Sequence, residues 1–135
     1  MNQGIKIRWG WLKLMYAYTI ITAGLVGLGM IILPGQTQSL LGWPAEKSFT
    51  FGVTASVFVA FGILSIFGLR SPLKFVPILF MQLCYKTVWY IGVILPWLVS
   101  GRFPSYAMAS ALFWLTFIIG DLIAIPFPYV LVKEK

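Results

Sequence analysis

The twenty residues from Leu14 to Leu33 carry no charged side chain, and three more long apolar stretches follow at 49–69, 73–99 and 105–132. An α-helix rises about 1.5 Å per residue, so about 20 such residues match the roughly 30 Å hydrocarbon core of a bilayer. Backbone polar groups in lipid must bond within their own segment, so each stretch is expected to be a helix. A soluble alternative fails on surface: 60% of the 135 residues are hydrophobic and 10% charged, too few charges to cover a water-facing domain. The expectation is an all-α, integral membrane four-helix bundle, one transmembrane domain over residues 1–135.

Local signals divide the spans. The first follows Lys6, Arg8 and Lys13 and superficially resembles a signal peptide. Its apolar run is too long for one, where about 7–15 residues are usual, and no small-x-small cleavage site closes it. Trp9, Trp11, Tyr16 and Tyr18 read as interfacial anchors. Pro34-Gly35 ends the span, and Gln36 to Ser48 is the longest polar segment, the main extramembrane loop. Arg70-Ser71-Pro72 makes a short turn, so spans two and three are expected to be antiparallel neighbours. Ser100 to Pro104 is a second tight connection, and Pro126 and Pro128 either kink the fourth span or end it.

Seven basic residues (Lys6, Arg8, Lys13, Arg70, Lys74, Lys133 and Lys135) fall on one side of this threading, against Lys47 and Arg102 on the other. The positive-inside rule then predicts both termini in the cytoplasm, N-in/C-in, and a bacterial cytoplasmic (inner) membrane is the expected home. The net charge of +7 does not read as nucleic-acid binding, because the basic residues are scattered singly and form no patch or stripe. The single Cys84 allows no intramolecular disulfide and reads as an inert buried thiol. The absence of histidine removes the usual metal or haem ligand and the usual general base, so no metal site and no cofactor are expected.

Helices in lipid gain little from hydrophobic contact with one another, so close packing needs small residues. Gly52, Ser56 and Ala60 form such a row in span two, Ala23, Gly24 and Gly27 in span one, and Ala107 and Ala111 in span four. Intramolecular packing is the expected use of these rows, and dimerisation the alternative.

Two charges interrupt the pattern. Lys86 stands near the middle of span three and Asp121 within span four. A charge at the bilayer centre costs about 2.5–3.5 kcal/mol on insertion scales, so each needs a partner or a wet cavity. If span four ends at Pro126, Asp121 lies several Å nearer the membrane face than Lys86. Gln82 precedes Lys86 by one turn, and Tyr85, Thr87 and Tyr90 add hydroxyls nearby. Lys86, Asp121, Gln82, Tyr85, Tyr90 and Trp89 form the candidate ligand site, with no catalytic residue assigned. Three readings stay open: a structural ion pair between Lys86 and Asp121, a small-molecule or headgroup site, and a snorkelling lysine beside an unpaired aspartate. Of the aromatics, Trp89, Tyr90, Phe113 and Trp114 are deep enough to line a pocket.

The glycine-rich first span ending in Pro34, the segment Leu40-Leu41-Gly42-Trp43-Pro44, the run Phe61-Gly62-Ile63-Leu64 and the turn Leu69-Arg70-Ser71-Pro72-Leu73 resemble the layout of small DoxX-like four-helix membrane proteins. The resemblance implies an accessory subunit of a membrane redox enzyme or an assembly helper. The sequence departs from that pattern in having no charged residue in span one. The function expected from the whole reading is a non-enzymatic subunit or assembly factor, acting through a membrane partner or as a homo-oligomer. The rival is a small-molecule or ion carrier, or a lipid-binding protein, built on Lys86 and Asp121. An enzyme acting on a lipid, with those two groups as acid and base, ranks third.

Overall fold

A computed structural model describes residues 5–45 and 48–134. Lys47 and Lys135, which enter the charge reading above, lie outside the described residues. Four helices are long and apolar enough to cross a membrane: α1, Trp9–Ile32; α3, Phe49–Arg70; α4, Val76–Ser100; and α5, Ala107–Ala124. Two short helices lie between and after them: α2, Pro34–Leu41, and α6, Phe127–Val130. No strand occurs among the described residues. Four antiparallel crossings put the first and last described residues, Ile5 and Glu134, at one face of the bundle, the terminal face, and α2 at the other, the loop face.

The ends of the helices follow from local chemistry. Leu33 leaves the helical region at φ −131° and ψ 64°, and Pro34 then starts α2, since its fixed φ and missing N–H suit a first helical position. The expected polar loop therefore begins as two turns of helix, with Gln38 buried. Gly42 and Gly101, at φ 71° and 70°, close α2 and α4 in the left-handed conformation that favours glycine. Ser48 caps α3 by accepting a bond from the Phe51 amide at 3.1 Å. The fourth crossing ends at Ala124, not near residue 132. Ile125, which precedes Pro126, is forced to an extended ψ of 122°.

Packing is tight where small residues permit it. A Cβ on Gly27 would lie 2.8 Å from the Val59 nitrogen, and one on Gly62 would lie 2.7 Å from the Gly24 Cα. Gly68 accepts the ring of Tyr16, whose hydroxyl donates to the Pro72 carbonyl at 2.6 Å. Tyr16 is thus wholly buried and not an interfacial anchor, whereas Trp9 and Trp11 are exposed as expected. Ala107 and Ala111 are buried, but Gly52, Ser56 and Ala60 face outward. Nothing lies within 4 Å of a Cβ built on Gly52, so that row does not pack inside the bundle. Cys84 is likewise exposed on the outer surface, not buried.

The four crossings do not pair evenly. α1 packs along α3, α4 packs along α5, and α1 meets α5 chiefly through residues 9–19. The antiparallel neighbours α3 and α4 touch over only a short stretch. Outward side chains are apolar, Ile21, Ile32, Val88 and Leu112 among them, while Thr19, Ser65, Gln82, Lys86 and Asp121 are buried. Lipid as solvent produces this inversion of the usual soluble pattern.

Candidate functional site

Each crossing helix contributes buried polar groups to the middle of the bundle: Thr19 and Tyr16 from α1, Ser65 from α3, Gln82 and Lys86 from α4, and Asp121 from α5. The Gln82 amide donates to Thr19 Oγ1 at 3.3 Å, and Thr19 donates in turn to the Met15 carbonyl at 2.8 Å. This bond ties α4 to α1. Gln82 therefore serves the packing beneath the candidate site and is not among the residues that line the cavity.

Lys86 sits one turn further toward the loop face, with 1% of its surface exposed. Its Nζ donates to the Tyr85 hydroxyl at 2.8 Å and lies 4.3 Å from the Phe117 ring centroid and 5.9 Å from that of Trp114. Tyr85 is held in place by stacking on Phe61, centroids 5.6 Å apart. Rings supply the ammonium with quadrupole attraction in place of a counter-ion. The ion pair, one of the three readings left open, is not formed: Lys86 makes no contact of 4.0 Å or less with a carboxylate, and neither oxygen of Asp121 has a hydrogen-bond partner. The physical reason is depth. α5 ends at Ala124, so Asp121 lies within one turn of its terminal end, whereas Lys86 is ten residues into α4. The two charges remain electrostatic neighbours, and Asp121 also acts on Tyr16 and Tyr85.

A cavity of about 270 Å³ opens beside Lys86 on the loop-face side, with Tyr85, Phe58, Phe113 and Trp114 among its walls and Leu41 and Trp43 over it. The Trp43 indole N–H donates to Ser110 Oγ at 2.6 Å, pinning the segment after α2 onto α5. The cavity exists because α1 and α5 part company beyond residue 19. At that point α1 carries a π-helical turn, Ile20–Gly24, and two of its residues, Thr22 and Ala23, line the cavity. π-turns recur at functional sites because the extra residue redirects the side chains that follow.

Of the residues proposed from sequence, Lys86 and Tyr85 meet at the cavity. Asp121 lies behind them in the polar layer. Tyr90 donates to the Ala111 carbonyl, and Trp89 packs on the far side of Trp114, centroids 4.7 Å apart, lining a separate groove with Trp97 and Tyr106. Neither reaches the cavity. Phe113 and Trp114 do. Trp43, Phe58, Thr22 and Ser110 were not anticipated: Phe58 looks like any apolar residue of a span, and Trp43 lies in the loop. Comparison of the chain with protein-family models, curated proteins and solved structures finds no match.

Proposed function

We propose that this chain is a non-enzymatic membrane binding protein that holds a small lipid-soluble molecule, head group against Lys86, in the cavity between α1 and α5. One observation carries the reading: a buried ammonium that spends one N–H on Tyr85 and meets no carboxylate within 4.0 Å stands on the wall of an aromatic cavity. Two donors remain for a ligand, and an anionic or strongly accepting head satisfies those hydrogen bonds. A volume of about 270 Å³ is at the small end of ligand sites, about 300–1,000 Å³. It suits a single chain or ring better than a two-chain phospholipid. The lining residues exposed at the outer surface, Leu40, Ala109 and Phe113, are apolar, so access is from lipid.

The test is native mass spectrometry of the protein gently extracted from its own membrane. The expected result is a bound small molecule present on the parent and absent from Lys86→Met. A parent that carries nothing, or a molecule retained equally by the variant, overturns the reading.

A second reading rests on the outward row Gly52, Ser56 and Ala60 on α3. Small residues on a lipid face let another helix approach closely, as an accessory subunit or assembly factor needs, and a polypeptide at fixed ratio in the same spectrum is its signature. In either case the excess of basic residues at the terminal face argues for that face in the cytoplasm.

A further inference from the structure

The cavity and the unpartnered carboxylate lie on opposite sides of Lys86. Tyr85 and Lys86 face the cavity. Behind them, Asp121 is fully buried with both oxygens unbonded, only three residues from the terminal end of α5. Burying a carboxylate in an apolar interior is tolerated when an opposite charge is near or when it carries a proton. Here the only buried opposite charge among the described residues is Lys86.

We propose that a lipid-soluble carboxylate and one proton bind together, the carboxylate at Lys86 from the loop-face side and the proton on Asp121 from the terminal side. The proposal rests on the reading of the cavity given above and names its ligand class. The argument is charge balance. Without ligand, the Lys86 ammonium and an ionised Asp121 balance each other, so the two together carry no net charge. A bound monoanion adds one negative charge to a site out of water, where an uncompensated charge costs several kcal/mol. One proton from bulk water restores neutrality. The bound state then has Lys86 as an ammonium paired with the ligand and Asp121 as the neutral acid, its O–H on one carboxyl oxygen.

No other group competes for that proton. α1 brings Tyr16 toward Asp121, and α4 brings Tyr85 and Lys86. The contacts of Tyr16 with Gly68 and of Gly24 with Gly62 set the α1–α3 register, and α3 presents Ser65 and Gly68 at this level, neither of them ionisable. Toward the terminal face, Arg8 is exposed and donates to the Ile123 carbonyl at 2.9 Å, not to Asp121.

The probe is decanoate, with decanol as its uncharged twin, titrated into the full chain in detergent micelles by calorimetry in two buffers of different ionisation enthalpy at one pH. The expected result is saturable decanoate binding with uptake of about one proton per molecule, and no proton uptake with decanol. Asp121→Asn should bind decanoate with uptake near zero, Lys86 keeping its charge throughout. Saturable decanoate binding without proton uptake overturns this inference and leaves the cavity reading standing. Absence of saturable decanoate binding overturns this inference, and absence of saturable binding by decanol as well removes the cavity reading too. The parent titration alone decides the matter if Asp121→Asn does not fold.

Discussion

The two halves of this bundle use the same four helices in opposite ways. Toward the terminal face α1 is held on three sides. Tyr16 fits against Gly68 and bonds Pro72, Thr19 bonds Gln82, and Tyr18 packs 4.6 Å from Phe117 and bonds Thr116 at 2.7 Å. Toward the loop face the α1–α5 contact is lost after the π-turn, and a cavity takes its place, covered by Trp43. The difference teaches that a four-helix membrane bundle can hold one helix on three sides at one end and, at the other, keep one of those seams while opening another to hold something. Stability and binding should therefore respond to different substitutions.

The largest stability effect should come from the packed seam. Gly27→Val would set a Cβ 2.8 Å from the Val59 nitrogen and 2.9 Å from the Ala55 carbonyl oxygen, backbone atoms that cannot yield. A loss of about 2–4 kcal/mol is expected, read as a lower midpoint of thermal unfolding in detergent. The same change at outward-facing Gly52, with open space around it, should stay within about 0.5 kcal/mol plus the ordinary helix preference. Equal effects at the two positions would dissolve the contrast between packed and free faces.

Tyr16→Phe comes next. It leaves the Pro72 carbonyl without its donor in a buried setting, a loss of about 1–2 kcal/mol, measurable in the same melts. Lys86→Met should do the reverse of what an ion-paired lysine does. No carboxylate is bonded to it, and Asp121 takes up a proton once the lysine's charge is gone, so stability should hold while ligand binding falls at least tenfold, about 1.4 kcal/mol or more. A large loss of stability with unchanged binding would move Lys86 from the cavity's chemistry to the bundle's packing. Smallest is Ser110→Ala, which removes the acceptor for Trp43. About 0.5–1 kcal/mol is expected, with faster ligand release in stopped-flow exchange as the more sensitive readout.

The membrane class and the four crossings were legible because hydrophobic length is a one-dimensional property. So were Lys86 and Asp121, since a charge within an apolar run stands out without any knowledge of its neighbours. What could not be read was orientation about each helix axis. Tyr16 looks like an interfacial anchor beside Trp9 and Trp11, yet it turns into the bundle because Gly68 leaves room for its ring. The row Gly52, Ser56 and Ala60 has packing spacing but faces out, whereas Gly24 and Gly27, from the row read in the first span, make the contacts, with Gly62 as their unforeseen partner on α3. The relative depth of Lys86 and Asp121 depended on whether α5 stopped at Pro126, and the extended conformation of Ile125 makes it stop. Trp43 and Ser110 are 67 residues apart, and no local pattern joins them.

The central claim is that the head group of a lipid-soluble acid rests on Lys86 with its tail among the aromatic walls. Its most direct test is tryptophan fluorescence under titration with a mid-chain brominated fatty acid, since bromine quenches at contact and Trp43 and Trp114 border the cavity. The account predicts saturable quenching in the parent, its loss in Lys86→Met, and none beyond partitioning with the brominated alcohol. Quenching that never saturates, or that is the same in parent and variant, would contradict it.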